Sequence, residues 1–210
     1  PKTGKAGKPI EFGHMIQIQQ VEDKFITDYD VFETKPIEHE LVDPALVCAD
    51  DGAKMALAVR LSALNVEHET GGPFGAAIFD AAGRLLSVGV NQVVAQNCSV
   101  AHAEMLAFML AQRRLQRFRL DADGSRYTLA TSSQPCCQCY GASVWAGISE
   151  LLVGARAEDV MELTEFDEGP LPADWTGELE RRGIAVRRDL GRDAAREVLR
   201  RYGSGGGRRY

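Results

Sequence analysis

The pattern of apolar and polar positions divides most of the chain into short helices and strands. Leu46, Val47, Ala53, Leu57, Leu61 and Leu64 recur at helical spacing. Asp43 followed by Pro44 is a cap and first-turn signal, so a helix is predicted over residues 43–65. Gly71-Gly72-Pro73 ends that unit. Residues 74–80 and 85–94 are strand-like runs, and Ala81-Ala82-Gly83-Arg84 between them predicts an antiparallel hairpin. Residues 102–110 are rich in helix formers and almost continuously apolar, which predicts a buried helix with His102 and Glu104 in its first turn. Pro135 suits the first turn of a further helix, over residues 135–147. Strands are expected over 127–131 and 150–153, and a helix, a strand and an amphipathic helix over 175–182, 184–187 and 192–202. Strands alternating with helices predict an α/β fold, a three-layer α/β/α sandwich with a mixed five-stranded sheet.

The ends lack this regularity. Residues 1–14 are rich in Lys, Gly and Pro and read as a linker or an expression remnant ahead of a natural start at Met15. Residues 15–42 alternate only in places, as in Met15-Ile16-Gln17-Ile18-Gln19, and read as an N-terminal extension packed on the domain or on a partner subunit. The domain proper is expected over 43–202, with a flexible tail over 203–210.

Composition narrows the class. A chain of 210 residues, 45% apolar and 26% charged, can bury one good core. No apolar run approaches the roughly 20 residues that span a bilayer, and the N-terminus lacks a charged-then-apolar secretory pattern, so a soluble cytoplasmic protein without a membrane partner is expected. Five cysteines, two of them in a ligand pattern, fit reduced thiols better than an odd-numbered disulfide framework. A net charge of -6 argues against a nucleic-acid surface. The basic runs from Arg113 to Arg119 and from Arg196 to Arg201 read as solvated helix faces.

The candidate chemistry lies in two short segments, His102-Ala103-Glu104 and Pro135-Cys136-Cys137-Gln138-Cys139. His102, Cys136 and Cys139 offer three soft ligands for Zn2+, which leaves the fourth tetrahedral position open for water, as in a catalytic site and unlike a closed structural one. Glu104 is then an acid beside the metal without being a ligand, suited to take and return the proton of an activated water. A closed site could instead recruit Cys98 as a fourth ligand, but Glu104 would then have no purpose. A bare Cys-x-x-Cys could also be a redox pair. Cys137 points about 100° away from Cys136 on a helical period and reads as a packed neighbour. His14, His39 and His68 read as surface or linker residues.

Together with Gly71-Gly72-Pro73-Phe74-Gly75-Ala76-Ala77, Asn91, Trp145-Ala146-Gly147 and Phe166-Asp167-Glu168-Gly169-Pro170, these segments resemble the cytidine deaminase superfamily, whose zinc deaminases carry H-x-E with P-C-x-x-C. Within it they are similar to bacterial guanine deaminases, the type that also accepts triazines such as ammeline. The resemblance spans residues 47–202. It implies zinc on His102, Cys136 and Cys139, proton transfer by Glu104, and a second shuttle acid at Glu168. It also implies a side chain at Asn91 that hydrogen-bonds the base, an amide at Ala103 facing a ring carbonyl, and apolar walls at Phe74, Trp145 and Phe166. The implied reaction is hydrolytic deamination of a free nucleobase, guanine to xanthine and ammonia, by a homodimer. Ammeline, cytosine and guanosine share much of the recognition edge, and a tRNA-editing deaminase or a non-catalytic zinc module are the other classes. Gln134 and Cys137 depart from the usual pattern, Gln134 standing where a glutamate is common.

Overall fold

The computed structural model describes residues 46–207; the expected linker and N-terminal extension lie outside the described residues. The elements run α1 (Asp51–Glu67), β1 (Gly75–Asp80), β2 (Leu85–Val90), α2 (Val93–Gln96), α3 (Ala103–Leu115), β3 (Tyr127–Ser133), α4 (Cys137–Ala146), β4 (Glu150–Ala155), α5 (Ala157–Thr164), α6 (Trp175–Glu180), β5 (Ala185–Arg187) and α7 (Arg192–Ser204), with a 3-10 turn at Leu120–Asp123. The five strands form one sheet in the order β2-β1-β3-β4-β5. β1 is antiparallel to both β2 and β3, while β3, β4 and β5 are parallel.

The period-2 alternation of the central strands sorts side chains to two cores. Ala77 and Phe79 of β1, Ala130 of β3 and Leu152 and Ala155 of β4 pack with α1, α5 and α7. Ala76, Ile78, Leu129, Leu151 and Val153 point the other way, toward α3, α4 and α6. The result is the expected three-layer sandwich, with both faces of the mixed sheet covered.

Several boundaries differ from the sequence expectation. Asp43 and Pro44 lie outside the described residues, but Leu46 and Val47 are not helical. The Leu46 carbonyl accepts from Leu85 N, and Val47 bridges to Arg84. The helix starts at Asp51, with Asp50 capping Ala53 N at 2.8 Å. The second hairpin strand ends at Val90, because its antiparallel partner begins at Gly75 and a single further bond, Asn91 N to Phe74 O at 3.1 Å, closes the ladder; Val93 and Val94 turn into α2 instead. α5 was not anticipated at all. It starts where Arg156 N donates to Asp159 Oδ2 at 2.8 Å, half of a capping box with an arginine in the place usually held by Ser or Thr. The last helix runs to Ser204 and is closed by Gly205 N bonding to Arg201 O, so the expected tail begins later than residue 203.

One glycine fixes where the first chemical segment sits. A Cβ on Gly89 of β2 would lie 2.0 Å from the Ala103 carbonyl oxygen. Only glycine lets the first turn of α3 rest directly on the sheet, and Ser87 Oγ ties the next turn by donating to Ala107 O at 2.8 Å.

Candidate active site

His102 and Cys136 occupy equivalent places: each is the N-cap residue of its helix, extended at φ -74° and -66°. Pro135 therefore precedes α4 and does not open it. Cys139 is the third residue inside that helix. N-cap and third-residue side chains meet in capping geometry, which brings Cys136 and Cys139 together without both being on the helix proper. Two helix N-termini, with their partial positive charge, converge on the thiols.

His102 Nδ1 lies 3.5 Å from Cys136 Sγ and 3.6 Å from Cys139 Sγ. With Zn–S near 2.3 Å and Zn–N near 2.0 Å, a tetrahedral ion holds such donors about 3.5 Å apart. The three donor atoms lie within 4.8 Å of one another, and among the described residues no other group of this kind exists. Cys98 lines the adjoining cavity but is not one of the three. Donor type and spacing both fit zinc, the cofactor of this site. Without the cation the thiols share a proton. Cys136 is lowered to about 4, chiefly by its hydrogen bond with Cys139 and then by His102. That bond and burial push the Cys139 thiol up, and the Cys136 contact raises His102. A divalent cation removes the shared proton and leaves two thiolates.

Glu104, in the first turn of α3, is 6% exposed. Its Oε1 accepts from Thr131 Oγ1 at 3.1 Å, and its Oε2 accepts from Cys139 Sγ at 3.3 Å. Burial, and then the Cys136 charge, raise its pKa. The sequence holds no signal for Thr131, one of four Thr and Ser residues in the buried strand β3. Glu168 is buried on the loop after α5, where its main-chain carbonyl accepts from Cys137 N at 3.0 Å. Its carboxyl is raised to about 8, first by burial and then by Cys136 and Glu104. Cys137 itself is exposed and not packed as expected, because its place at the start of α4 turns its side chain outward while its N–H serves Glu168.

These groups open onto a cavity of about 600 Å³. Phe74, Asn91, Phe166, Asp167, Gln134, His102, Cys136, Glu104 and Glu168 line it, as do Val93, Val94, Asn97 and Ser99, to which the sequence assigned no part in the site. Phe74 and Phe166 meet with ring centroids 5.5 Å apart. Asn91 Oδ1 accepts from Val93 N at 3.3 Å, which turns its NH2 the other way. Ala103 packs its side chain against β2 and can offer the site only its main-chain N–H, one of the unpaired donors of a helix start.

Trp145 requires correction. It is 75% exposed and does not line the cavity. It lies at the far end of α4, about 12 Å along the axis from the end that carries the cysteines.

A family model described as the cytidine and deoxycytidylate deaminase zinc-binding region matches residues 49–155. The chain belongs to this family. Among other deaminases, it is 36% identical over 111 residues to the guanine deaminase of Bacillus subtilis, covering 53% of this chain and 67% of that one. It is 28% identical over 119 residues to a tRNA-specific adenosine deaminase of Buchnera aphidicola, covering 57% and 72%. A solved guanine deaminase from Nitrosomonas europaea superposes with a TM-score of 0.73 at 44% identity, over 76% of this deaminase and 87% of that chain. NE0047 in complex with 2,6-diaminopurine gives 0.75 at 44%, over 79% and 87%. This deaminase is accordingly a zinc-dependent hydrolytic enzyme acting on a ring C–N bond.

Proposed function

We propose that the enzyme deaminates a free nucleobase, guanine, to xanthine and ammonia, with His102, Cys136 and Cys139 as the zinc ligands. The observation that carries the choice of substrate is the cavity lining: Glu104, Asp167 and Glu168 with the neutral amides of Asn91, Asn97 and Gln134, and no lysine or arginine among the described lining residues. A lining without a cationic side chain has nothing to hold a phosphate, which disfavours nucleotides and tRNA, whereas a neutral amino-heterocycle finds donors, acceptors and two phenyl walls. The solved relatives holding 2,6-diaminopurine and 8-azaguanine support a purine.

When bound, zinc supplies the Lewis acidity that makes water nucleophilic near neutral pH. Phe74 and Phe166, in contact with each other, form one apolar wall beside the flat ring, and the Asn91 NH2 donates to a ring acceptor. Glu104 takes the proton of the attacking water and passes it to the ring nitrogen beside the amine-bearing carbon. Attack first forms the C–O bond; Glu168, whose carboxyl burial holds in the protonated form more readily than usual, then donates to the amine as the C–N bond breaks, and the proton of the added hydroxyl returns to Glu168 as that oxygen becomes the carbonyl of xanthine. General acid–base steps of this kind contribute about 10²–10⁴-fold each.

The test is ammonia release from zinc-loaded protein over guanine, ammeline, guanosine, cytosine and tRNA. Guanine should give the highest kcat/KM with xanthine as product; no ammonia from guanine overturns the proposal.

We place the enzyme in the cytoplasm, where the five free thiols of the described residues stay reduced. We also propose a homodimer. Phe118 is 84% exposed and Trp145 75%, and the Arg119 guanidinium, next in the chain to Phe118, reaches the Trp145 carbonyl at 3.4 Å; a second copy would cover them. Sedimentation of Trp145→Glu should give monomer where wild type gives dimer, and a wild-type monomer would refute the assembly.

A further inference from the structure

Asn65 lies near the end of α1, fully buried and outside the cavity. Its Nδ2 donates to two main-chain carbonyls, Gly72 at 2.7 Å and Asn91 at 2.8 Å. Its Oδ1 accepts from Thr70 Oγ1 at 2.7 Å. The two carbonyls belong to different segments, the loop that leads into β1 and the residue that follows β2. The β1–β2 ladder stops at Gly75 and Val90, and one more bond, Asn91 N to Phe74 O at 3.1 Å, prolongs it. Beyond that point the Asn65 carboxamide replaces the ladder. No other side chain of this shape offers two donors and an acceptor together. Aspartate has the outline and no donors, and leucine would strip the Asn91 carbonyl of its bond, while the Gly72 carbonyl would keep Phe74 N and the Thr70 hydroxyl would keep the Asn65 main-chain carbonyl.

Asn91 is thus held at three points. Its N–H goes to Phe74, its carbonyl to Asn65, and its Oδ1 accepts from Val93 N. With those taken, its NH2 can turn only toward the cavity it lines. We infer that Asn65 is a positioning residue: by anchoring the Asn91 main chain, it sets the angle at which the Asn91 amide meets the substrate ring. The inference rests on the reading of Asn91 as a base-recognition group.

A double-mutant cycle tests it. Asn65→Leu should raise KM for guanine about tenfold, the scale of one lost charge-free hydrogen bond, with zinc content unchanged. In an Asn91→Ala background the same substitution should change KM by less than about twofold, because the group it orients is already gone. Effects that multiply, or an unchanged KM in Asn65→Leu, overturn the role. Thr70→Val, which removes the hydroxyl bonded to Oδ1 at 2.7 Å and to the Asn65 carbonyl at 3.3 Å, gives a second cycle if Asn65→Leu does not fold. In free zinc-loaded protein the Asn91 side-chain amide should give one sharp pair of ¹H–¹⁵N signals that broadens in either variant. Unchanged signals overturn the inference whatever the substrate, whereas silence of wild type toward guanine tells against the substrate reading alone.

Discussion

The ring of Tyr202, near the end of α7, stacks on Phe166 with centroids 6.0 Å apart and planes inclined by 26°. Phe166 in turn leans on Phe74, so the C-terminal helix stands behind the aromatic wall of the cavity. An aromatic pair contributes about 0.5–1.5 kcal/mol beyond its buried area. Tyr202→Ala should therefore raise KM for the base by about two- to tenfold, while Tyr202→Phe stays near wild type. Steady-state kinetics of the two variants decide it, and an unchanged KM in the alanine variant would detach α7 from the pocket.

Glu104→Gln keeps the side-chain shape and loses the proton carrier. Turnover should fall by at least about 10²–10⁴-fold with one zinc per chain retained, as read by metal analysis beside ammonia release. Thr131→Val removes the hydroxyl that holds Oε1 at 3.1 Å and should lower kcat by a smaller factor, about tenfold for one hydrogen bond. A fully active Glu104→Gln would eliminate the carboxyl from the chemistry.

Glu168 should titrate near 8 in metal-free protein, against an ordinary 4.5. The folded-state value lies above the unfolded one, so this group weakens the metal-free fold as pH climbs from 4.5 toward about 8, the opposite of a salt-bridged carboxylate. Zinc loading brings positive charge nearby and should lower the value. Carboxyl ¹³C NMR across pH reads both states, and a midpoint near 4.5 in the metal-free protein would contradict the burial argument.

Asp159, 2% exposed, accepts from Arg192 at 2.7 and 2.8 Å and also from Arg196, tying α5 to α7. Removing one partner of a buried pair costs about 3–5 kcal/mol. Here the arginines are 32% and 23% exposed and can rehydrate, so Asp159→Ala should cost nearer 2–3 kcal/mol. Denaturant melts give the figure; a loss below about 0.5 kcal/mol would show the clamp to be idle.

Chelation should lower Tm, and zinc should restore it, since binding to three preplaced donors stabilises only the folded chain. Cys139→Ser should lower zinc content and abolish that recovery. A Tm indifferent to chelator would mean that the fold does not depend on the cation.

Much of this was legible in the residue order because it depends on neighbours. The alternation of the strands, the helical spacing of α1 and α7, and the pairing of His-x-Glu with Cys-x-x-Cys are local patterns, and they sufficed for the layer architecture and for picking out His102, Cys136, Cys139 and Glu104, which the fold brings together. What they could not carry was decided by contacts between distant segments. Trp145 and Phe166 both read as pocket walls, yet only the loop after α5 reaches the cavity, because α4 points its far end away. The extended start of α1 and the early end of β2 follow from where their partners in the hairpin stop, and the Arg196 run, solvated by its sequence, meets a buried Asp159. Thr131, Asn65 and Tyr202 have ordinary local surroundings. Their parts in the site come from bonds to residues far along the chain, which residue order does not encode one position at a time and packing alone brings together.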